Sequence, residues 1–529
     1  MKTTGWLKEN RLALLLGCLA VVAEMFLVGL YPLSAPAGQR WLGDTIAFPG
    51  DAAVYLSYLK QGSEGHILLD NLYAVEPHAK RFDGFWSTLG LAARTGIPPL
   101  AVFEIARWIM TLLLVFVLFR AAQATLQDKR ESGFVTLLML MGVGLGWTYT
   151  FIVYSQGHWD MNTPLAADIG SEFSAAVIFL SGPHIILSLA LLAAAMRLTW
   201  IAFQGQTSRI SWMAAVAWAL LLSFHPYYGP FMAVYLALAV CFSPEKKLRR
   251  RLVPALIIAL AVLPAAVIYL PLLTDKIFST HHLKTNQLPL APAASWLLTL
   301  APFALAAAWR WKRKIGVRPE EKWLVAWLAA SVVCIILPLP WKRKYTEGLG
   351  PALILLTAPF WLYVRDKFAR GTKGFWRFSS IGLLCLGLGL GSLSVVATQL
   401  AWLKNVDGAK WFYRPAELFS AWHHLNGLPD QTVCLSDDIW VNVWTPAYAG
   451  KTVWVAHDHE TPDFKTKVEI WKRLLKTDEP DEARAILGDA GITDFITTSA
   501  SSTERFKRLL GDGWKVSFQH GQYNVFHKD

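Results

Sequence analysis

The chain has 529 residues, of which 54% are apolar and only 17% charged, with a mean hydropathy of +0.36. Soluble globular proteins carry about 25% charged residues, so this deficit excludes disorder and argues against an ordinary soluble enzyme. The formal net charge of +12 sits largely in short loops between apolar runs, the distribution of a membrane protein and not of a nucleic-acid-binding surface.

A membrane crossing needs about 20 mostly apolar residues. The first such run is 12–31, preceded by Lys2, Lys8 and Arg11. It is longer than the apolar core of a signal peptide and reads as an uncleaved helix with a cytoplasmic N-terminus. Further runs at 98–119, 134–154, 174–202, 211–224, 229–243, 253–272, 293–309, 323–340, 349–364 and 378–402 bring the expected crossings to about eleven. Alternating sides from that start puts Lys129/Arg130, Arg209, Lys246–Arg251, Arg310–Lys322 and Arg365–Arg377 inside. It puts 155–173 and 225–228, which hold no Lys or Arg, outside, as the positive-inside rule requires. The expected fold is therefore a polytopic α-helical membrane domain, 1–402, followed by an extracytoplasmic α/β domain, 403–529, in the plasma (inner) membrane.

Within the long first outer loop, 32–97, short helices are expected near 52–62 and 85–95. In the tail, Thr432–Leu435, Thr452–Ala456, Asp494–Thr498 and Lys515–Phe518 have the β-branched and aromatic content of strands. Phe464–Leu475 and Pro480–Leu487 read as helices. The capping box Ser501-Ser502-Thr503-Glu504 opens a third, which Gly511 closes. The five cysteines, Cys18, Cys241, Cys334, Cys385 and Cys434, suggest neither a disulfide framework nor a zinc site. P-loop, GxGxxG, HExxH and GxSxG signatures are absent, which argues against ATP-driven transport by this chain.

Ionisable residues beside apolar spans are functional candidates. Three clusters fall on the expected outer face. Asp51 heads a short helix with Tyr55 one turn on, and Glu76 and His78 follow in the same loop. Asp51 suits an N-cap or a general base at the interface. The next outer loop carries His158, Asp160, Asp168 and Glu172, a set able to hold a divalent cation, shape a polar site or simply face solvent. The third cluster, Lys342-Arg343-Lys344, places positive charge where the inside rule expects little, which suits phosphate headgroups. His184 follows Pro183 at a kink that can turn it toward a polar cavity.

This arrangement resembles the GT-C superfamily of integral-membrane glycosyltransferases, such as lipid-A aminoarabinose transferases and protein O-mannosyltransferases. The resemblance lies in Asp51 and Tyr55, the Gly62/Gly65 pair, Asn71-Leu72-Tyr73, Glu76-Pro77, Leu89-Gly90 and Arg94–Ile97. It continues in Asp160 and Asp168, Pro183-His184, Arg343 through Glu347-Gly348, and Val455-Ala456-His457 with Thr461-Pro462-Asp463 in the tail. The resemblance implies transfer of a sugar from a polyprenyl-phosphate or pyrophosphate donor to an acceptor glycan, lipid or protein on the outer face, with inversion. Asp51 would be the general base, with Asp160 and Asp168 beside it. Lys342, Arg343 and Lys344 would hold the donor phosphate, and Tyr55, Glu76, His78, His158, Glu172 and His184 would contact substrate. No cofactor is required outright, and family members differ in their use of a divalent metal ion. Membrane lipids are expected partners and nucleic acid is not. This sequence lacks a clean Asp-x-Asp, so Asp44 stays a rival base. A catalytically inactive GT-C-like scaffold subunit, docked to a partner in a membrane complex, is the alternative reading.

Overall fold

Glycine and proline decide where the apolar runs begin, bend and stop. The computed structural model describes residues 3–45, 50–156, 173, 175–204, 208–243, 245, 247–275, 277, 281, 290–339, 341–370, 374–404 and 411–529. Among the described residues four helices are long and apolar enough to cross a membrane: Glu9–Leu33, Pro99–Leu126, Pro183–Ala202 and Leu248–Thr274. Two bent pairs, Lys342–Leu356 with Ala358–Phe368 and Gly382–Leu388 with Leu390–Ala401, raise the count to six if each is one crossing. Of the other runs, 211–224 and 229–243 form the shorter apolar helices Ser208–Leu222 and Tyr228–Phe242, and 293–309 lies in the 20-residue helix Ala293–Lys312, which is not among those four.

The differences from expectation have local causes. The run 134–154 is two helices, Lys129–Met141 and Trp147–Ser155, because Gly142 takes φ 72° and stops the first. Expected span 174–202 starts as a continuous helix only at Pro183, whose missing N–H is harmless in a first turn. The run 349–364 bends by 56° where Pro359, in the first turn of Ala358–Phe368, cannot continue the hydrogen-bond ladder. The run 378–402 bends by 71° at Gly389, where a Cβ would come within 2.7 Å of Met141 Cε.

The chain divides into two compact units. The first comprises Met1–Leu27, Ala106–Ala266 and Gln287–Ala401. Its helices leave large apolar side chains such as Leu256, Leu305 and Ile336 more than half exposed, a surface suited to lipid. Polar contacts join them inside: Thr111 Oγ1 donates to Glu24 at 2.6 Å, with Arg107 3.9 Å from the same carboxylate, and Trp218 Nε1 donates to Thr199 Oγ1 at 3.1 Å. Arg310 and Glu321, buried at 2.9 Å, tie the Ala293–Lys312 helix to the start of Lys322–Ile336.

The second unit comprises Val28–Ile105, Val267–Asn286 and Trp402–Asp529, so the first polar loop and the tail share one compact body. Strand β1 (Gln39–Trp41) pairs antiparallel with β2 (Tyr413–Pro415) over a cluster of Tyr31, Phe412 and Tyr413. The five-stranded sheet of the tail contains β3 (Val433–Ser436), β4 (Thr452–Val453), β5 (Asp494–Thr497), β6 (Trp514–His520) and β7 (Tyr523–Lys528), in the order β4-β3-β5-β7-β6. Its first three strands are parallel and its last two antiparallel. Helices Phe464–Lys476, Pro480–Asp489 and Ala500–Leu510 cover it, and Leu474, Ile486, Phe495, Phe506 and Phe526 fill the core. Strand β7 and the helices Ala416–Asn426 and Ile439–Ala449 add to the elements expected from sequence.

Helices Asp51–Ser63 and Trp86–Ala93 cross at Gly62 and Gly90, where a Cβ on Gly62 would lie 2.3 Å from Gly90 Cα. Backbone cannot move aside as a side chain can. Gly62→Ala should therefore destabilise the unit by about 2 kcal/mol. Gly488→Ala, in a helix with open space around it, should be neutral or stabilise by up to about 1 kcal/mol. Thermal unfolding of the two variants in detergent checks both.

Candidate functional site

Asp51 is the first residue of its helix, after Gly50 at φ 90°. A carboxylate there is favoured by the unpaired N–H groups and dipole of the first turn. Its side chain is 34% exposed, and His457 Nε2, from the tail, lies 3.4 Å from its Oδ1. His457 itself is only 8% exposed. Burial pushes the His457 imidazole down, the Asp51 carboxylate pushes it up, and the net direction is up. Asp44, the rival base, is 1% exposed. Its two oxygens accept from Thr45 N at 2.9 Å and Gly50 N at 2.5 Å, and burial drives its carboxyl well above the usual range. Asp44 thus closes the turn that presents Asp51, and the geometry favours Asp51 as the accessible carboxylate.

Tyr55 stacks on Trp86 at 4.8 Å and 10° between planes. Glu76 pairs with Lys467 at 2.6 Å, and His78 Nε2 with Asp70 at 2.5 Å. Asp70 raises the His78 imidazole. Burial disfavours the Asp70 anion, but His78 and Lys80 hold that carboxyl down at about 2. Beside them, Tyr58, Asn71, His78, Arg81, Asp275 and Glu460 line a small, open cleft.

The first unit holds the basic candidates. Lys342, Arg343 and Lys344 form a single turn, Lys342–Thr346, followed by Gly348 in a left-handed conformation at φ 76°. Glu347, 1% exposed, anchors that turn by accepting from the hydroxyls of Ser188 and Tyr228. Lys344 Nζ lies 5.9 Å over the Tyr227 ring, and His184 meets His225 edge-on at 5.3 Å. The turn is thus a partly buried cationic segment set on an aromatic and imidazole surface. Thr346 Oγ1 closes it by donating to Arg343 O at 2.7 Å.

Asp51, Tyr55, Glu76 and His78 therefore belong to one unit, and His184, Lys342, Arg343 and Lys344 to the other. His158, Asp160, Asp168 and Glu172 lie outside the described residues. Among the described residues no group of three His, Cys, Asp or Glu is placed to hold a metal ion. Sequence reasoning did not single out His457 as a site residue, because its tie to Asp51 spans most of the chain; its only signal was the Val455-Ala456-His457 stretch. Tyr227, in the expected outer loop 225–228, supports the basic segment: its ring lies under Lys344 Nζ and its carbonyl accepts from the Tyr345 hydroxyl at 3.2 Å. Arg81 and Glu460 had no signal at all.

No family profile and no characterised protein sequence matches the chain. Solved structures do. One is an archaeal oligosaccharyltransferase from Archaeoglobus fulgidus in complex with an inhibitory peptide and a dolichol-phosphate: TM-score 0.53, 12% identity, 95% of this chain and 71% of that one covered. Another is an oligosaccharyltransferase of the same organism tethered to an acceptor peptide containing the NVT sequon: TM-score 0.50, 12% identity, 99% and 75% covered. These likenesses show that the chain shares the fold of those two structures across nearly its whole length.

The His457 imidazole sits above its ordinary 6.5 because of Asp51. Stability from this contact is then fully present below that value and is lost as pH rises through the raised one. His457→Gln should lower the melting temperature clearly at about pH 6 and much less at about pH 9. Thermal unfolding at the two pH values is the check, and an equal loss at both would detach His457 from the Asp51 charge.

Proposed function

We propose that this chain, which shares the fold of those two structures, is a membrane glycosyltransferase that moves a sugar from a polyprenyl-linked phosphate or pyrophosphate to an acceptor on the extracytoplasmic face. The observation that carries this reading is Asp51, a solvent-reachable carboxylate at a helix start, with Asp44 holding the N–H of the preceding Gly50 and His457 beside it. Such a group is fixed in direction yet open to a substrate, which is what general-base catalysis asks of it.

In the proposed reaction the acceptor nucleophile attacks the sugar C1 while Asp51 takes its proton. The bond from C1 to the phosphate oxygen breaks, its electron pair leaves on that oxygen, and the anomeric centre inverts. Lys344, with Arg343 and Lys342, is the positive group suited to the charge growing on the leaving phosphate. The activated lipid supplies the driving force, consistent with a chain that has no nucleotide-binding signature. A lipid-linked donor is supported by the fold-sharing enzyme described with a dolichol-phosphate, and an acceptor on a polymer by the one tethered to a peptide. Asp160, Asp168 and Glu172 are proposed to position the acceptor or hold a divalent cation. Glu76 and His78, engaged with Lys467 and Asp70, are proposed to shape the acceptor side.

The test is transfer activity of the purified protein, offered polyprenyl-phosphate sugars and a membrane extract as acceptor, with labelled product followed by mass spectrometry. Asp51→Asn should lower turnover by about 100-fold or more with the melting temperature retained. Arg343→Ala and Lys344→Ala should each lower it by about 10-fold or more. A folded wild type that gives no product with any donor, together with tolerance of Asp51→Asn in the cell, would instead support a scaffold subunit.

A further inference from the structure

The cleft beside the Asp51 helix is lined by an unusual balance of groups. Asp275 and Glu460 bring two carboxylates, Arg81 and His78 bring donors, and Asn71 brings an amide. All five are half-buried, so a ligand there exchanges little bulk water for fixed polar partners. These groups are held in place by the protein. Asp275 Oδ2 accepts from Ala79 N at 2.6 Å, Asn71 Nδ2 donates to Glu460 O at 2.9 Å, and the Arg81 guanidinium bonds the Tyr58 hydroxyl and covers its ring at 4.8 Å. Leu69 and Leu272 supply an apolar wall.

Three classes of ligand can be compared against this lining. A phosphate or carboxylate would meet Arg81 but would also face Asp275 and Glu460, whose like charges repel it. An extended peptide would seek a strand edge to pair with. The wall instead pairs with itself, Leu69 N donating to Arg81 O at 2.7 Å and Arg81 N to Leu69 O at 2.9 Å. An uncharged saccharide fits all the groups at once: its hydroxyls donate to carboxylates and accept from guanidinium and amide, and its C–H faces lie against leucine.

The cleft is also aligned with the proposed base. Asp51, Tyr55 and Tyr58 follow at four- and three-residue spacing, so they share one helix face. From Asp51 to the cleft residue Tyr58 is about 10 Å along the axis, a distance that a short oligosaccharide bridges.

We infer that this cleft is a saccharide subsite: it binds an uncharged sugar of the acceptor and so directs the acceptor's nucleophile along the Tyr58–Tyr55–Asp51 face. The inference rests on the transferase reading for its role, but binding can be measured without donor or turnover. The experiment is saturation-transfer NMR on the full-length protein in nanodiscs, with a neutral disaccharide, a uronic-acid disaccharide and an uncharged tripeptide as probes. The neutral disaccharide should bind. Glu460→Gln and Asp275→Asn, which keep shape and the backbone contacts, should each weaken it by about tenfold with unchanged melting temperature. Asp51→Asn should leave that affinity within about twofold, because Asp51 lies about 10 Å along the helix from Tyr58 and does not line the cleft. Tighter binding of the uronate, competition by the tripeptide, no saccharide binding, or indifference to both cleft variants would each overturn the subsite. Intact transfer with no saccharide binding would reject the subsite alone. Saccharide binding with no transfer from any donor would reject the transferase reading and keep the subsite.

Discussion

One contact organises the second unit: a carboxylate at the first turn of a helix facing a buried imidazole from a segment far along the chain. Asp51 gains from the helix start, and His457 gains from Asp51 what it loses by burial. Asp44 completes the arrangement by consuming two backbone N–H groups that would otherwise lie unpaired in a buried turn. Removing Asp51 leaves the buried His457 imidazole without its carboxylate, and removing Asp44 leaves the N–H groups of Thr45 and Gly50 without their acceptor. The antiparallel pairing of β1 with β2 repeats this logic, joining the end of the first membrane helix to the start of the tail.

The first unit solves a different problem. Its helices are apolar almost throughout, so each polar group inside them has to be answered locally. Glu347 is answered by Ser188 and Tyr228 from two other helices, which ties the basic turn before it to both. Thr111 and Arg107 answer Glu24 in the same way. A cationic turn on such an anchor loses little side-chain freedom when it meets an anion, and preorganisation of this kind is where electrostatic stabilisation is strongest.

Much of the architecture was legible from hydropathy and turn chemistry. The capping box at Ser501 becomes the start of the Ala500–Leu510 helix, with Ser499 as the actual cap accepting from Ser502 N. The expected strands at 432, 452, 494 and 515 all appear in one sheet. Hydropathy measures apolar content and not continuity, so it could not see the breaks at Gly142, Pro359 and Gly389. It also hid the Ile439–Ala449 helix, whose apolar residues pack inside a domain otherwise read as polar. Strand β7 escaped notice because Tyr523 to Lys528 alternates weakly and pairs at both edges, burying Tyr523 through Phe526. Within the site, Asp51 could be found because it sits in a recognisable local pattern. His457, Arg81 and Glu460 acquire meaning only through partners distant in sequence, and no local pattern encodes those.

The composition of the second unit has a temporal consequence. Its three segments, 28–105, 267–286 and 402–529, are separated by most of the membrane helices. A chain emerging from the ribosome exposes the Asp51 helix long before His457, β2 or the sheet exists, and domains assemble as their residues become available. The first loop therefore closes around Asp51 only after residues 402–529 have been translated.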